Sequence, residues 1–110
     1  TSTAIKQLNY AAGKTQTITA AEAKYLLAHL LYLKKDYKTS QKTAFELINK
    51  MPSYDYWVAK SFILLADNYI ALKDNFQAKS TLQSILDNYG NKEDDVLRTA
   101  KEKLDKLKLP

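Results

Sequence analysis

Phe62-Ile63-Leu64-Leu65-Ala66-Asp67-Asn68-Tyr69, followed after a short polar break by Lys73-Asp74-Asn75-Phe76-Gln77-Ala78-Lys79, is the stretch on which the fold turns. Its first half is apolar nearly all round, the mark of a helix packed on several sides. The same wording stands 38 residues earlier: Leu26-Leu27-Ala28 falls on Leu64-Leu65-Ala66, and Lys35-Asp36 on Lys73-Asp74. Leu47-Ile48 falls on Ile85-Leu86, and the breaker Pro52 on Gly90. A fixed period of helix pairs is how stacked helical hairpins show in sequence, because each pair buries its faces on its neighbours.

Working outward, the punctuation is helical throughout. Thr19-Ala20-Ala21-Glu22 has the form of a capping box, which opens a helix from Ala20 to Lys35. After a turn at Asp36-Tyr37 a second helix runs to about Met51 and is stopped by Pro52. Ser53 or Asp55 caps a third, which ends near Lys73. A fourth follows the turn Asp74-Asn75 and reaches Tyr89, with Gly90 suited to the left-handed residue that ends many helices. Asn91 caps the last helix, whose first turn (Glu93, Asp94, Asp95) is acidic and whose end (Lys106, Lys108) is basic, as the macrodipole favours. A shorter leading helix over residues 3–12 ends at Gly13.

Composition agrees. The 110 residues are the size of one domain, with two Gly and two Pro, too few turn residues for a sheet protein. With no Cys, disulfides and thiolate metal sites are excluded. Of 17 basic residues only Arg98 is an arginine, so the net charge of +5 serves solubility more than bidentate phosphate recognition. The positive excess lies in residues 1–50. Tyr25 to Leu33, the longest nearly apolar stretch, falls far short of the roughly 20 residues of a membrane span. No signal peptide is visible, and a start at Thr1 without Met fits a processed or excised chain.

These hairpins resemble the tetratricopeptide repeat. Ala28 and Ala66 match the small residue where its paired helices cross, Ser40 and Ala78 the small residue opening the second helix. Tyr69 matches its aromatic position, replaced by Leu31 in the first copy, and Pro52 its terminal proline, replaced by Gly90 in the second. Ala stands for the usual glycine at both crossings, the early tryptophan is missing, and the period exceeds the family's ~34 residues. In detail the wording is similar to the last repeats of long tetratricopeptide proteins of the bacterial cell envelope. The resemblance implies an all-α, right-handed solenoid of about six helices in a single domain. Residues 3–18 are then a leading helix and linker, 20–52 and 55–90 two repeats, and 91–108 a terminal cap closed by Val96, Leu97, Ala100, Leu104 and Leu107. It also implies the end of a longer superhelix in the bacterial envelope, with a cytoplasmic placement as the alternative.

No catalytic constellation is readable. There is no Cys–His pair or Gly-rich phosphate loop, and His29 has only Tyr25, Leu26, Tyr32 and Leu33 at helical spacing. Neither a metal nor a cofactor is expected. Lys34, Lys35, Lys38 and Lys42, with Tyr32 and Tyr37 nearby, could stack and neutralise a nucleic acid. A solvated turn explains them with fewer assumptions. Tyr54, Asp55, Tyr56 and Trp57 read either as a binding patch or as the corner between repeats.

In the family the first helix of each pair lines a concave groove, which implies a site for a partner protein or peptide at Tyr25, His29, Tyr32, Lys60, Ile63 and Asp67. Glu22, Leu26, Leu64 and Ile70 border it. The expected function is a non-catalytic interaction scaffold. The alternative is a structural spacer or self-assembling element, with homo-association through an uncapped N-terminal end. Only Lys60 suits a grip on a terminal carboxylate, so that mode is not expected.

Overall fold

The computed structural model describes residues 18–50, 55–90 and 93–108. Within them are five helices: α1 (Ile18–Leu33), α2 (Tyr37–Lys50), α3 (Asp55–Ala71), α4 (Asn75–Asn88) and α5 (Val96–Lys108). No strand occurs among the described residues. Each helix packs on the next, and α1 also meets α3, as α3 meets α5. This is an all-α arrangement consistent with a helical repeat. The leading helix expected over residues 3–12 lies outside the described residues.

Small residues sit at the closest approaches. Ala28, Ala44, Ala66 and Ala78 are fully buried, which lets the backbones come together around the larger Leu64, Leu65 and Leu82. Each of these leucines contributes about 2–3 kcal/mol by leaving water. The larger core cluster joins α3 and α4 to Val96, Ala100 and Leu104 of α5, with Leu97 and Leu107 packed beside it. The last helix therefore closes that end with the residues expected.

The 38-residue period is visible in the backbone. Lys35 and Lys73 both adopt positive φ, 66° and 65°. Around Lys35, its N–H donates to Tyr32 O and the Asp36 N–H to Leu31 O; around Lys73, the matching bonds go to Ile70 O and from Asp74 to Tyr69 O. This is the Schellman ending, which satisfies carbonyls left over at a helix C-terminus. The next residue then caps the following helix: Asp36 Oδ1 accepts from Thr39 N at 3.4 Å, and Asp74 Oδ1 from Gln77 N at 3.2 Å. One three-residue turn, Lys34–Asp36 and again Leu72–Asp74, thus reverses the chain twice.

Several expected boundaries move. The first helix starts at Ile18, so the Thr19–Glu22 box lies inside it and not at its edge. Gly90 does not have positive φ, and α4 ends instead on Tyr89, an extended residue whose N–H returns to Ile85 O. The left-handed positions belong to lysines, because the turn geometry is set by the tertiary fit of the hairpin and outweighs the roughly 1–2 kcal/mol strain of a side chain there. The acidic trio precedes α5 and is not in its first turn; Asp94 caps from outside, accepting from Val96 N at 2.9 Å and from the Tyr89 hydroxyl. Its basic end is as expected.

One buried polar connection joins the two hairpins. Ser40 Oγ donates to Ala28 O at 2.7 Å, and Asn68 Nδ2 donates to Ser40 Oγ at 3.1 Å and to Leu64 O at 3.0 Å. Ser40 and Asn68 are both fully buried. The hydroxyl ties α2 to α1 and the amide ties α3 to α2, while Asn68 Oδ1 finds no partner among the described residues.

Candidate interaction face: an aromatic row on α1 and α3

Helical spacing puts Tyr25, His29 and Tyr32 on one stripe of α1. The Tyr25 and His29 rings lie 6.1 Å apart and nearly parallel, and His29 and Tyr32 follow at 6.5 Å. Tyr37, at the start of α2, extends the row beyond Tyr32 at 5.7 Å. At the other end Trp57 meets Tyr25 at 5.5 Å and Tyr56 edge-on at 4.9 Å. Six rings thus run from α3 across α1 to α2. All six side chains are half-buried, so the row is both packing and surface. Tyr25 and Tyr32 rest on the core around Ala28, Ala44, Leu64 and Leu65, and Trp57 rests on Ala20 and Ala21.

The charged residues expected here are also brought in. The Lys60 ammonium stands 5.8 Å from the centroids of both Tyr25 and Tyr56, within reach of a cation–π attraction. Asp67 pairs with Lys103 of α5 at 2.9 Å. Burial first, and then the Asp67 carboxylate, push the hydroxyls of Tyr25 and Tyr32 above their ordinary range. Burial, Asp95 and Asp94, with a hydrogen bond to Asp95, do the same to Tyr56. These phenols therefore stay neutral and keep a proton to donate.

Ile63 is the exception. It is 6 % exposed and belongs to the core shared with α4 and α5, so it is not a surface residue of the row. Leu64 is likewise interior, at 2 %, and Leu26 points to a different side of α1. An apolar helix with neighbours on three sides has its isoleucines claimed by packing before any remain for a partner. The sequence reading missed Lys103, which reaches Asp67 from 36 residues beyond it, and Asp95, which reaches Tyr56 from 39 residues beyond it. No local pattern announces contacts of that range. Tyr56 packs beside the core of α3, α4 and α5 and Trp57 on Ala20 and Ala21 of α1, and both lengthen the row.

His29 is half-buried, and its Nδ1 finds no partner among the described residues. Lys34, Lys35, Lys38 and Lys42 are all exposed at the first turn. Among the described residues no group of His, Asp and Glu is placed to hold a metal ion, and no helix is long and apolar enough to cross a membrane. A hollow of about 220 Å³ lies elsewhere, between α3 and the end of α4, walled by Val58, Phe62, Ile85 and Tyr89. Its lining carries no charged group.

No family model matches the chain, and the comparisons with curated proteins and with solved structures find no significant relative.

Proposed function

We propose that this chain is a non-catalytic protein-interaction module of tetratricopeptide type, a right-handed solenoid that holds an extended or helical peptide against the aromatic row. The observation that carries the reading is the row itself. Six half-buried rings from three helices, two of them carrying a shared lysine ammonium, form a continuous row that keeps part of its surface open. Rigid aromatic side chains of this kind dominate binding energy at protein interfaces, because they bury much area at little entropic cost. Lys60 adds a directed contact for a carbonyl or carboxylate of the partner. The phenols, held neutral, add hydroxyl donors.

The test is a selection from a displayed random-peptide library, followed by titration of the selected peptides. Trp57 is the only tryptophan and stands in the row, so its fluorescence reports occupancy directly. Lys60→Ala with Tyr25→Leu is expected to weaken binding at least about tenfold, the cost of losing one hot-spot residue. Phe76→Ser, on the exposed start of α4, is expected to bind as the parent does. Peptides that bind both variants equally, with no change in Trp57 emission, would leave the row as packing alone and favour a structural spacer.

A further inference from the structure

The exposed lysines of the first turn stand outside the aromatic row, and the fold gathers others beside them. Asn68, near the end of α3, donates to Ser40, near the start of α2, so the turn after α1 and the turn after α3 lie at one edge of the molecule. α5 runs the same way as α3. Asp95, just before α5, bonds to Tyr56 at the start of α3, and Lys103 meets Asp67 near the end of α3. Lys108 accordingly comes to line one hollow with Phe76 and Lys79. This edge carries Lys34, Lys35, Lys38 and Lys42 at the first turn and Lys73 and Lys79 at the second, all exposed. The end of α5 adds Lys106 and Lys108, also exposed. The acids among them are already engaged: Asp36 and Asp74 cap helices, and Asp105 pairs with Lys101 at 3.7 Å.

Two large apolar side chains stand among these charges. Leu72 is 47 % exposed, and Phe76, at 79 %, is the most exposed large hydrophobic among the described residues. At the opposite edge, where α1, α3 and α5 begin, the sign reverses: among the described residues Glu22, Asp87, Glu93, Asp94 and Asp95 outnumber Lys50 and Arg98. The molecule is thus polarised, basic with apolar tips at one edge and acidic at the other. We propose that the basic edge docks on an anionic lipid surface, with Leu72 and Phe76 entering the headgroup layer and the lysines ranged over it. That layer accepts apolar side chains and ammonium groups together, and the contact lies on the membrane without a spanning segment. A nucleic acid would engage the lysines but leave Leu72 without a partner. The one arginine, the residue suited to bidentate phosphate contacts, stands at the far edge. The acidic edge is repelled by the same surface, which fixes the orientation.

Co-sedimentation of the full 110-residue chain with vesicles tests this, comparing phosphatidylglycerol mixed about 3:7 into phosphatidylcholine with phosphatidylcholine alone. Binding to the anionic vesicles only is expected, lost in about 0.5 M salt. Lys34→Gln with Lys38→Gln is expected to weaken it about 25-fold, roughly fivefold for each lysine, with helicity unchanged. Lys50→Gln with Arg98→Gln removes the same charge from the opposite edge and is expected to weaken it less than about threefold. Phe76→Ser is expected to weaken it at least about fivefold, as a ring partly withdrawn from water is lost. Phe76→Trp in a Trp57→Phe chain is expected to shift its emission to the blue on anionic vesicles. Absence of binding, or equal binding to neutral vesicles, overturns the proposal. So does equal weakening by the two charge-removing pairs, or indifference to Phe76→Ser. A single-stranded DNA oligonucleotide held more tightly than the vesicles would make the edge a nucleic-acid surface, also against the proposal.

Discussion

Replacing Asn68 by Ala removes both bonds its amide donates, at 3.1 Å to Ser40 Oγ and 3.0 Å to Leu64 O, from a fully buried site. Each such bond is worth about 1 kcal/mol net. The void left by the amide adds about 1 kcal/mol, because the surrounding helices close only in part. Removing the unpartnered Oδ1 returns about 1 kcal/mol. The expected loss is about 2 kcal/mol, or about 8–16 °C in melting temperature for a domain of this size. Ser40→Ala costs a similar amount, through the lost bond to Ala28 O and the donor stranded on Asn68. Because both lose the same Asn68–Ser40 bond, the double variant is expected to be about 0.5–1 kcal/mol more stable than the sum. Asn68→Leu fills the volume without an orphaned oxygen and is expected to be milder than Asn68→Ala. Urea unfolding followed by helical circular dichroism measures all four. A loss below about 0.5 kcal/mol for Asn68→Ala, or strict additivity with Ser40→Ala, would refute the assignment of this pair as the connection between hairpins.

Other outcomes follow from the same geometry. Lys35→Gly and Lys73→Gly relieve side chains at positive φ and are each expected to stabilise by up to about 1 kcal/mol, read as a rise in melting temperature. Gly90→Ala is expected to be neutral or stabilising by up to about 1 kcal/mol, since Gly90 lacks positive φ and an added Cβ meets nothing within 4 Å. Leu104→Ala, at 3 % exposure, is expected to cost about 2–4 kcal/mol and to loosen the α5 end first, seen as faster amide exchange in α5 than in α2. Tyr25, Tyr32 and Tyr56 have hydroxyl pKa values raised on folding, so the folded chain holds more protons than the unfolded one above about pH 10. Their contribution is full below that value and is lost as pH rises through the raised values. Alkaline unfolding with late-appearing tyrosinate absorbance is expected, and Asp67→Asn should bring that absorbance to lower pH.

Much of the fold was legible because helix–helix packing leaves local marks. The apolar runs and the small residues Ala28, Ser40, Ala66 and Ala78 mark each hairpin locally, and the 38-residue period repeats those marks. The turn residue was not legible: rules for left-handed positions look for Gly, and here tertiary fit outweighs a modest strain in Lys35 and Lys73 while Gly90 stays out of that region. For the site, spacing alone could place Tyr25, His29 and Tyr32 together. It could not separate Ile63, one turn along the same face as Lys60 and Asp67, because burial there depends on where α5 lands. The same long-range arrival hid Lys103.

Ser40 and Asn68 each occur once where the period offers two places. The partner position of Ser40 is Ala78, and that of Asn68 is Leu30. Backbone repetition would let either hairpin stand first, yet the hydrogen-bonding chemistry allows a single order. A chain with the hairpins exchanged would turn the Asn68 amide toward water and leave the Ser40 hydroxyl without its amide donor. Two near-copies that could trade places in outline are thereby made distinguishable, each fixed to its turn in the sequence by a few buried atoms.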